Sequence, residues 1–151
     1  MSGPRDISAG DESWPGAGQP CFLDTSALYA VFDRAQVRSA EVVAVWERLV
    51  RSDVSLLTTN YVLLELTALL QRRLGPDAVG AFQDFVLPWL KVVWVDEAVH
   101  GTALALVRGA RRRDISLVDA VGFAVMRSRG SRHAFTLDGH FAEQGFTCLP
   151  G

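Results

Sequence analysis

Five short apolar runs separated by stretches of helical periodicity constrain the fold of this chain more than any other feature. They are Cys21 to Leu23, Val54 to Thr58, Lys91 to Val95, His133 to Thr136 and Phe146 to Leu149. The second is β-branched at its ends and the third alternates, as strands do. Between them, helices are expected from Ser26 to Phe32 and from Ser39 to Arg51, where Val42, Val43, Trp46, Leu49 and Val50 recur at helical spacing. A further helix runs from Tyr61 to Leu74, with Asn60 as its N-cap and Gly75-Pro76 as its stop. Asp77 to Phe85 and Glu97 to Arg113 continue the pattern, and Ser116 caps a helix that Gly130 ends. Asp138 to Glu143 reads as a helical turn. Strands alternating with helices in this way imply an α/β layered fold with a mainly parallel sheet of four or five strands.

At 151 residues the chain is long enough for one domain with a real core, and 49% of it is apolar. Residues 1–20, rich in Gly, Pro, Ser and Asp, read as a flexible tail ahead of a folded domain over 21–151. Trp14 is the exception, expected to dock on the body or on a partner. No apolar run is long enough to cross a bilayer, and no basic start with an apolar centre marks a secretory signal, so a cytoplasmic protein with no membrane contact is expected. Two cysteines, Cys21 and Cys148, are too few for a disulfide framework or a Cys-rich zinc site.

Four acids stand out by position. Asp24 ends the first strand and is followed at once by Thr25 and Ser26. In an open parallel sheet ligands bind beyond the carboxyl ends of the strands, so this carboxylate points into the usual site; it would also serve as a helix N-cap. Asp138 repeats the arrangement after the fourth strand. Asp119 completes the capping-box pattern Ser116-Leu117-Val118-Asp119, while Ala120, Gly122 and Ala124 keep the next turn small enough to approach the sheet. Glu65 lies among apolar helical neighbours, Tyr61, Val62, Ala68 and Leu69, and is expected to be buried. A buried carboxylate needs a cation, either an arginine or a metal.

The formal charge of −2 is not that of a strongly basic nucleic-acid binder, yet the arginines are clustered at 108, 111, 112 and 113 and again at 127, 129 and 132. They are either phosphate contacts or helix-end charges favoured by the macrodipole. Asp114 reads as an exposed loop acid, and His100, His133 and His140 as packing or surface residues. A phospho-acceptor domain is disfavoured because Asp24 has no adjacent acid and the only lysine, Lys91, opens the third strand. An Asp-x-Asp phosphatase fails because Ser26 stands where its second acid belongs.

With these residues in place the chain resembles the PIN-domain family, most closely the toxin ribonucleases of VapBC toxin–antitoxin pairs. The resemblance runs from Cys21 to the end. It is carried by Phe22-Leu23-Asp24-Thr25-Ser26-Ala27-Leu28, Thr59-Asn60-Tyr61-Val62-Leu63-Leu64-Glu65, Ile115-Ser116-Leu117-Val118-Asp119-Ala120 with Phe123-Ala124-Val125-Met126, and Ala134-Phe135-Thr136-Leu137-Asp138 with Phe141. It implies a three-layer α/β/α sandwich and a metal-dependent ribonuclease with Asp24, Glu65, Asp119 and Asp138 at the metal, and Thr25 or Ser26 as the helper hydroxyl. It also implies a homodimer and an antitoxin that blocks the site. Hard carboxylate oxygens suit Mg²⁺ or Mn²⁺, and such an ion would activate water for phosphodiester hydrolysis of RNA. Arginines 111 to 113 would hold the RNA backbone. The alternative on the same fold is a non-catalytic PIN module that binds RNA or a protein.

Overall fold

The computed structural model describes residues 11–151. Five parallel strands form one sheet: β1 (Pro20–Leu23), β2 (Ser55–Thr59), β3 (Lys91–Val93), β4 (His133–Phe135) and β5 (Thr147–Leu149). Their spatial order is β3-β2-β1-β4-β5. The chain therefore winds outward from β1 to one edge, then returns to build the other half on the far side of β1. The reversal falls between β1 and β4, the switch point at which open α/β sheets present a crevice.

Among the described residues seven α-helices connect or follow the strands: α1 (Thr25–Phe32), α2 (Ser39–Arg51), α3 (Asn60–Arg73), α4 (Pro76–Ala81), α5 (Glu97–Ala110), α6 (Leu117–Arg129) and α7 (His140–Glu143). Alternation along the strands divides them between two layers. Leu23 and Phe135 are in register, and Phe135 lies 6.4 Å from the Trp46 ring of α2. Phe22 points the other way and stacks 6.0 Å from Phe141 of α7, which meets Phe123 of α6 edge-on at 4.9 Å. All three of these phenylalanines are fully buried, each stabilising the fold by about 1.5–3 kcal/mol. Gly122 lets α6 come this close, since a Cβ there would meet the Phe22 ring at 3.1 Å.

Two helices lie between β3 and β4, and they form a hairpin. α6 packs on β1 through Phe22, whereas α5 rests on α6, with Ala103 buried against Ala120, Val121 and Val125. Val93 of the edge strand and Val95 lie at the margin of that second cluster. This arrangement brings the start of α6, and Asp119 with it, to the carboxyl ends of the strands.

Local signals mostly act as their chemistry requires. Ser116 and Asp119 make a complete capping box, and Gly130 adopts a left-handed conformation at φ 67° to end α6. At α3 the expectation was one residue off: Thr59 caps the helix by accepting from the Val62 N–H, and the Asn60 side chain instead accepts from the Val95 N–H. The stretch expected to finish as an ordinary helix at Phe85 passes into a wide π-helical turn, Phe82–Val86, and then a 3-10 turn at Leu87–Trp89.

Residues 1–10 of the expected tail lie outside the described residues. The rest of it is placed on the body: the Arg48 guanidinium sits 3.6 Å from the centre of the Trp14 ring, and His133 Nε2 lies 3.0 Å from the Glu12 carbonyl. Cys21 and Cys148 are both free thiols, and burial pushes Cys21 up to about 12. Among the described residues no helix is long and apolar enough to cross a membrane.

Candidate metal centre

Asp24, Asp119 and Asp138 meet at the switch point, each at the start of a helix. Asp24 is the N-cap of α1, Asp119 is the third residue of α6 and Asp138 precedes α7. Free backbone N–H groups and the positive end of a helix dipole favour a carboxylate at α1 and α6. Placing three carboxylates together nonetheless costs repulsion, which adds to burial in raising the pKa of Asp24 and of Asp119.

Asp24 is 3% exposed, and its Oδ2 accepts hydrogen bonds from Ser26 Oγ at 2.6 Å and Thr136 Oγ1 at 2.9 Å. Burial raises its pKa and the nearby Asp138 charge adds to the rise, while the two hydroxyls act in the opposite direction. Asp119 is pushed up to about 6, chiefly by burial and then by the charges of Asp24 and Asp138. Ligand atoms of Asp119, Asp138 and His140 all lie within 4.8 Å of one another. Among the described residues no arginine or lysine forms an ion pair with any of the three aspartates.

That donor set fits a hard divalent cation. Several oxygens converge, no arginine or lysine among the described residues neutralises them, and entry of Mg²⁺ or Mn²⁺ would offset both repulsion and the cost of burying charge.

Two hydroxyls follow Asp24, and they differ. Ser26 Oγ touches the carboxylate and also accepts from the Leu137 N–H at 2.9 Å. Thr25 Oγ1 is buried and has no hydrogen-bond partner among the described residues.

Glu65 is a correction to the buried position expected for it. The face of α3 turned to the core is Val62, Leu66 and Leu70, a spacing of four, and Glu65 lies about 100° away from Leu66 and is exposed. Its apolar neighbours Tyr61, Leu64 and Ala68 line an open depression with His100, Leu117 and Val118, so its carboxylate is solvated and has no need of a buried partner. Val118, which lines this depression, precedes Asp119 in α6, but Glu65 is not among the residues whose ligand atoms converge with Asp119 and Asp138.

Three residues passed over in the sequence belong to the site. Thr136 Oγ1 donates to Asp24 and accepts from the Asp138 N–H at 2.9 Å, joining two acids through one hydroxyl. Strand register would have revealed it, because Leu23 pairs with Phe135 and so sets Thr136 abreast of Asp24. His140 stands with Nδ1 2.6 Å from Asp138 Oδ1 and Nε2 2.9 Å from Asp114 Oδ2. Its pKa is raised, mainly by the hydrogen bond to Asp114. Asp114, expected as an idle loop acid, is held well below the usual carboxylate range by Arg112 and then His140. Arg112 also reaches Glu143 at 2.8 Å, so it is committed to acids rather than free for phosphate.

The fold and site define an α/β protein with an acidic cluster at the switch point of a parallel sheet. Comparison with known proteins gives the family. Residues 21–146 match the PIN domain. The 23S rRNA-specific endonuclease VapC20 of Mycobacterium tuberculosis is 32% identical over 126 residues, which are 83% of this chain and 94% of VapC20. The crystal structure of that protein, described as a Sarcin-Ricin loop cleaving toxin, aligns with a TM-score of 0.75 at 31% identity, covering 83% of this chain and 95% of the other. VapBC2 from Rickettsia felis, crystallised with a DNA fragment from its promoter, shares the fold at a TM-score of 0.64 and 12% identity, covering 85% and 96% of the two chains. FitAcB from Neisseria gonorrhoeae does so at 0.60 and 18%, covering 85% and 95%. The chain belongs to the PIN-domain family, among its VapC-type members.

Proposed function

We propose that this protein is a Mg²⁺- or Mn²⁺-dependent endoribonuclease and the toxin of a VapBC-type pair. The observation that carries the reading is the meeting of Asp24, Asp119 and Asp138 without an arginine or lysine partner among the described residues, with Asp119 pushed up to about 6. In this reading the three aspartates hold the ion. When bound, it supplies positive charge against the scissile phosphate and makes water a stronger nucleophile at neutral pH.

The chain's own residues prepare that chemistry. Ser26 and Thr136 hold Oδ2 of Asp24, which leaves its other oxygen for the ion. We assign Ser26, rather than Thr25, as the helper hydroxyl. Glu65, solvated on the depression beside Val118, is assigned the proton of the attacking water. With Arg112 engaged, the exposed Arg111 and Arg113 are the phosphate contacts. Kinship with VapC20 makes a ribosomal RNA loop the first substrate to test, and the VapBC and FitAcB neighbours make a cognate antitoxin the partner to test; the homodimer is what the family resemblance implies.

RNA cleavage with Mg²⁺, with Mn²⁺ and with chelator, in wild type and in Asp24→Asn and Asp119→Asn, tests the reading. Cleavage lost on chelation and in both variants is expected. A folded protein whose behaviour toward RNA is unchanged by all of these has no such activity.

A further inference from the structure

We propose that His140 and Asp114 are positioning residues for this centre, forming with Arg112 a bracket that holds Asp138 against the start of α6. The proposal rests on the nuclease reading for its activity measurement alone.

Asp138 is fixed from one side. Its Oδ1 accepts the His140 backbone N–H at 2.9 Å and lies 2.6 Å from His140 Nδ1. That ring nitrogen is buried and off the direction of a hydrogen bond, so the contact sets the distance between the imidazole and the carboxylate rather than satisfying both. The ring is oriented at its far end, where Nε2 and Asp114 Oδ2 are 2.9 Å apart. Asp114 comes two residues before Ser116, the cap of α6, and five before Asp119. The Asp114–His140 contact thus ties the segment that delivers one acid to the helix that follows another.

Arg112 makes the tie double. It donates from Nε and Nη2 to the two oxygens of Asp114, at 2.9 and 2.6 Å, and from Nη1 to Glu143 at the end of α7. A forked guanidinium between two carboxylates fixes direction as well as distance. The apolar contact of Phe123 with Phe141 already joins α6 to α7 in the core. The bracket governs the polar rim above it, where Asp119 and Asp138 must keep a separation that suits a small cation. Partners that orient metal-binding carboxylates commonly change metal affinity or activity by about 10–100-fold when removed.

The test uses the full chain carrying His140→Ala, Asp114→Ala or Asp114→Asn, with Mn²⁺ alone as the probe in calorimetry, alongside RNA cleavage and thermal melting. Both alanine variants should weaken Mn²⁺ binding and lower kcat by about 10–100-fold, with KM for RNA and the melting temperature near wild type. Asp114→Asn, which keeps an oxygen acceptor for the ring N–H, should recover most of the Mn²⁺ affinity. A merely structural role would lower the melting temperature instead and leave the Mn²⁺ affinity of the folded protein intact. Folded alanine variants that bind Mn²⁺ as wild type does overturn the proposal, as does a wild type that binds none. A wild type that binds Mn²⁺ but leaves RNA intact defeats the nuclease reading, and the Mn²⁺ affinities of the variants still decide this one.

Discussion

The inner and outer halves of the acidic centre are held by different forces. On the inner side Asp24 is buried and fixed by the neutral hydroxyls of Ser26 and Thr136. On the outer side Asp138 leans on His140, itself largely buried, and through it on Asp114 and Arg112, which are about half exposed. Buried hydrogen bonds from hydroxyl donors are little affected by salt, whereas exposed ion pairs are screened within a Debye length. The contrast assigns the inner half to permanent geometry and the outer half to adjustment at the rim.

The strongest way to break this comparison is to remove an inner charge. Asp24→Asn or Asp119→Asn should lower RNA cleavage by on the order of 10²–10³-fold, the scale on which a fixed electrostatic group contributes to a transition state. A single-turnover assay at saturating Mg²⁺ measures it, and equal losses in a conservative outer variant such as Asp114→Asn would erase the distinction.

Next in size is the response of the metal-free protein to pH. Asp119 has a folded pKa of about 6 against an ordinary 3.8, so between those values the folded state binds more protons than the unfolded one. Stability should therefore fall as pH rises from about 4 to about 6 and then level off, by at most about 3 kcal/mol from this group. Denaturant melts across that window should show the fall, Asp119→Asn should flatten it, and added Mg²⁺ should offset it most above pH 6.

Thr136→Val sharpens the comparison by removing one hydroxyl at nearly constant volume. It strips a donor from Asp24 and an acceptor from the Asp138 N–H, for a loss of about 1–3 kcal/mol that persists in high salt. The smallest effect is expected for Arg112→Gln. Its partners are solvated, so the melting temperature should move slightly in dilute buffer and not at all in high salt. An Arg112 variant as destabilised as Thr136→Val at both ionic strengths would reverse the assignment.

Much of this protein follows from local chemistry that a sequence displays. Apolar runs ending on Asp24 and shortly before Asp138 mark strand ends, Ser116 with Asp119 marks a helix start, and Gly130 marks a stop, because each depends on groups a few residues apart. The parallel α/β sheet follows from the order of such signals, and the resemblance to PIN-domain motifs names Asp24, Asp119 and Asp138 as one set together with the exposed Glu65.

What stayed hidden depends on groups far apart in the chain. Glu65 is solvated because the facing depression is open, a property of α3, α5 and α6 together that apolar neighbours along one helix cannot report. Thr136 becomes a partner of Asp24 only when β4 pairs with β1, 112 residues apart in sequence. Asp114 and His140 meet only once the α5–α6 hairpin is folded down beside α7. Sequence by itself determined which residues could start, end or face an element, since backbone propensity and periodicity are local. Tertiary structure alone decided which charges share a dielectric and which are left in water, because burial and Coulomb energy depend on distance through space.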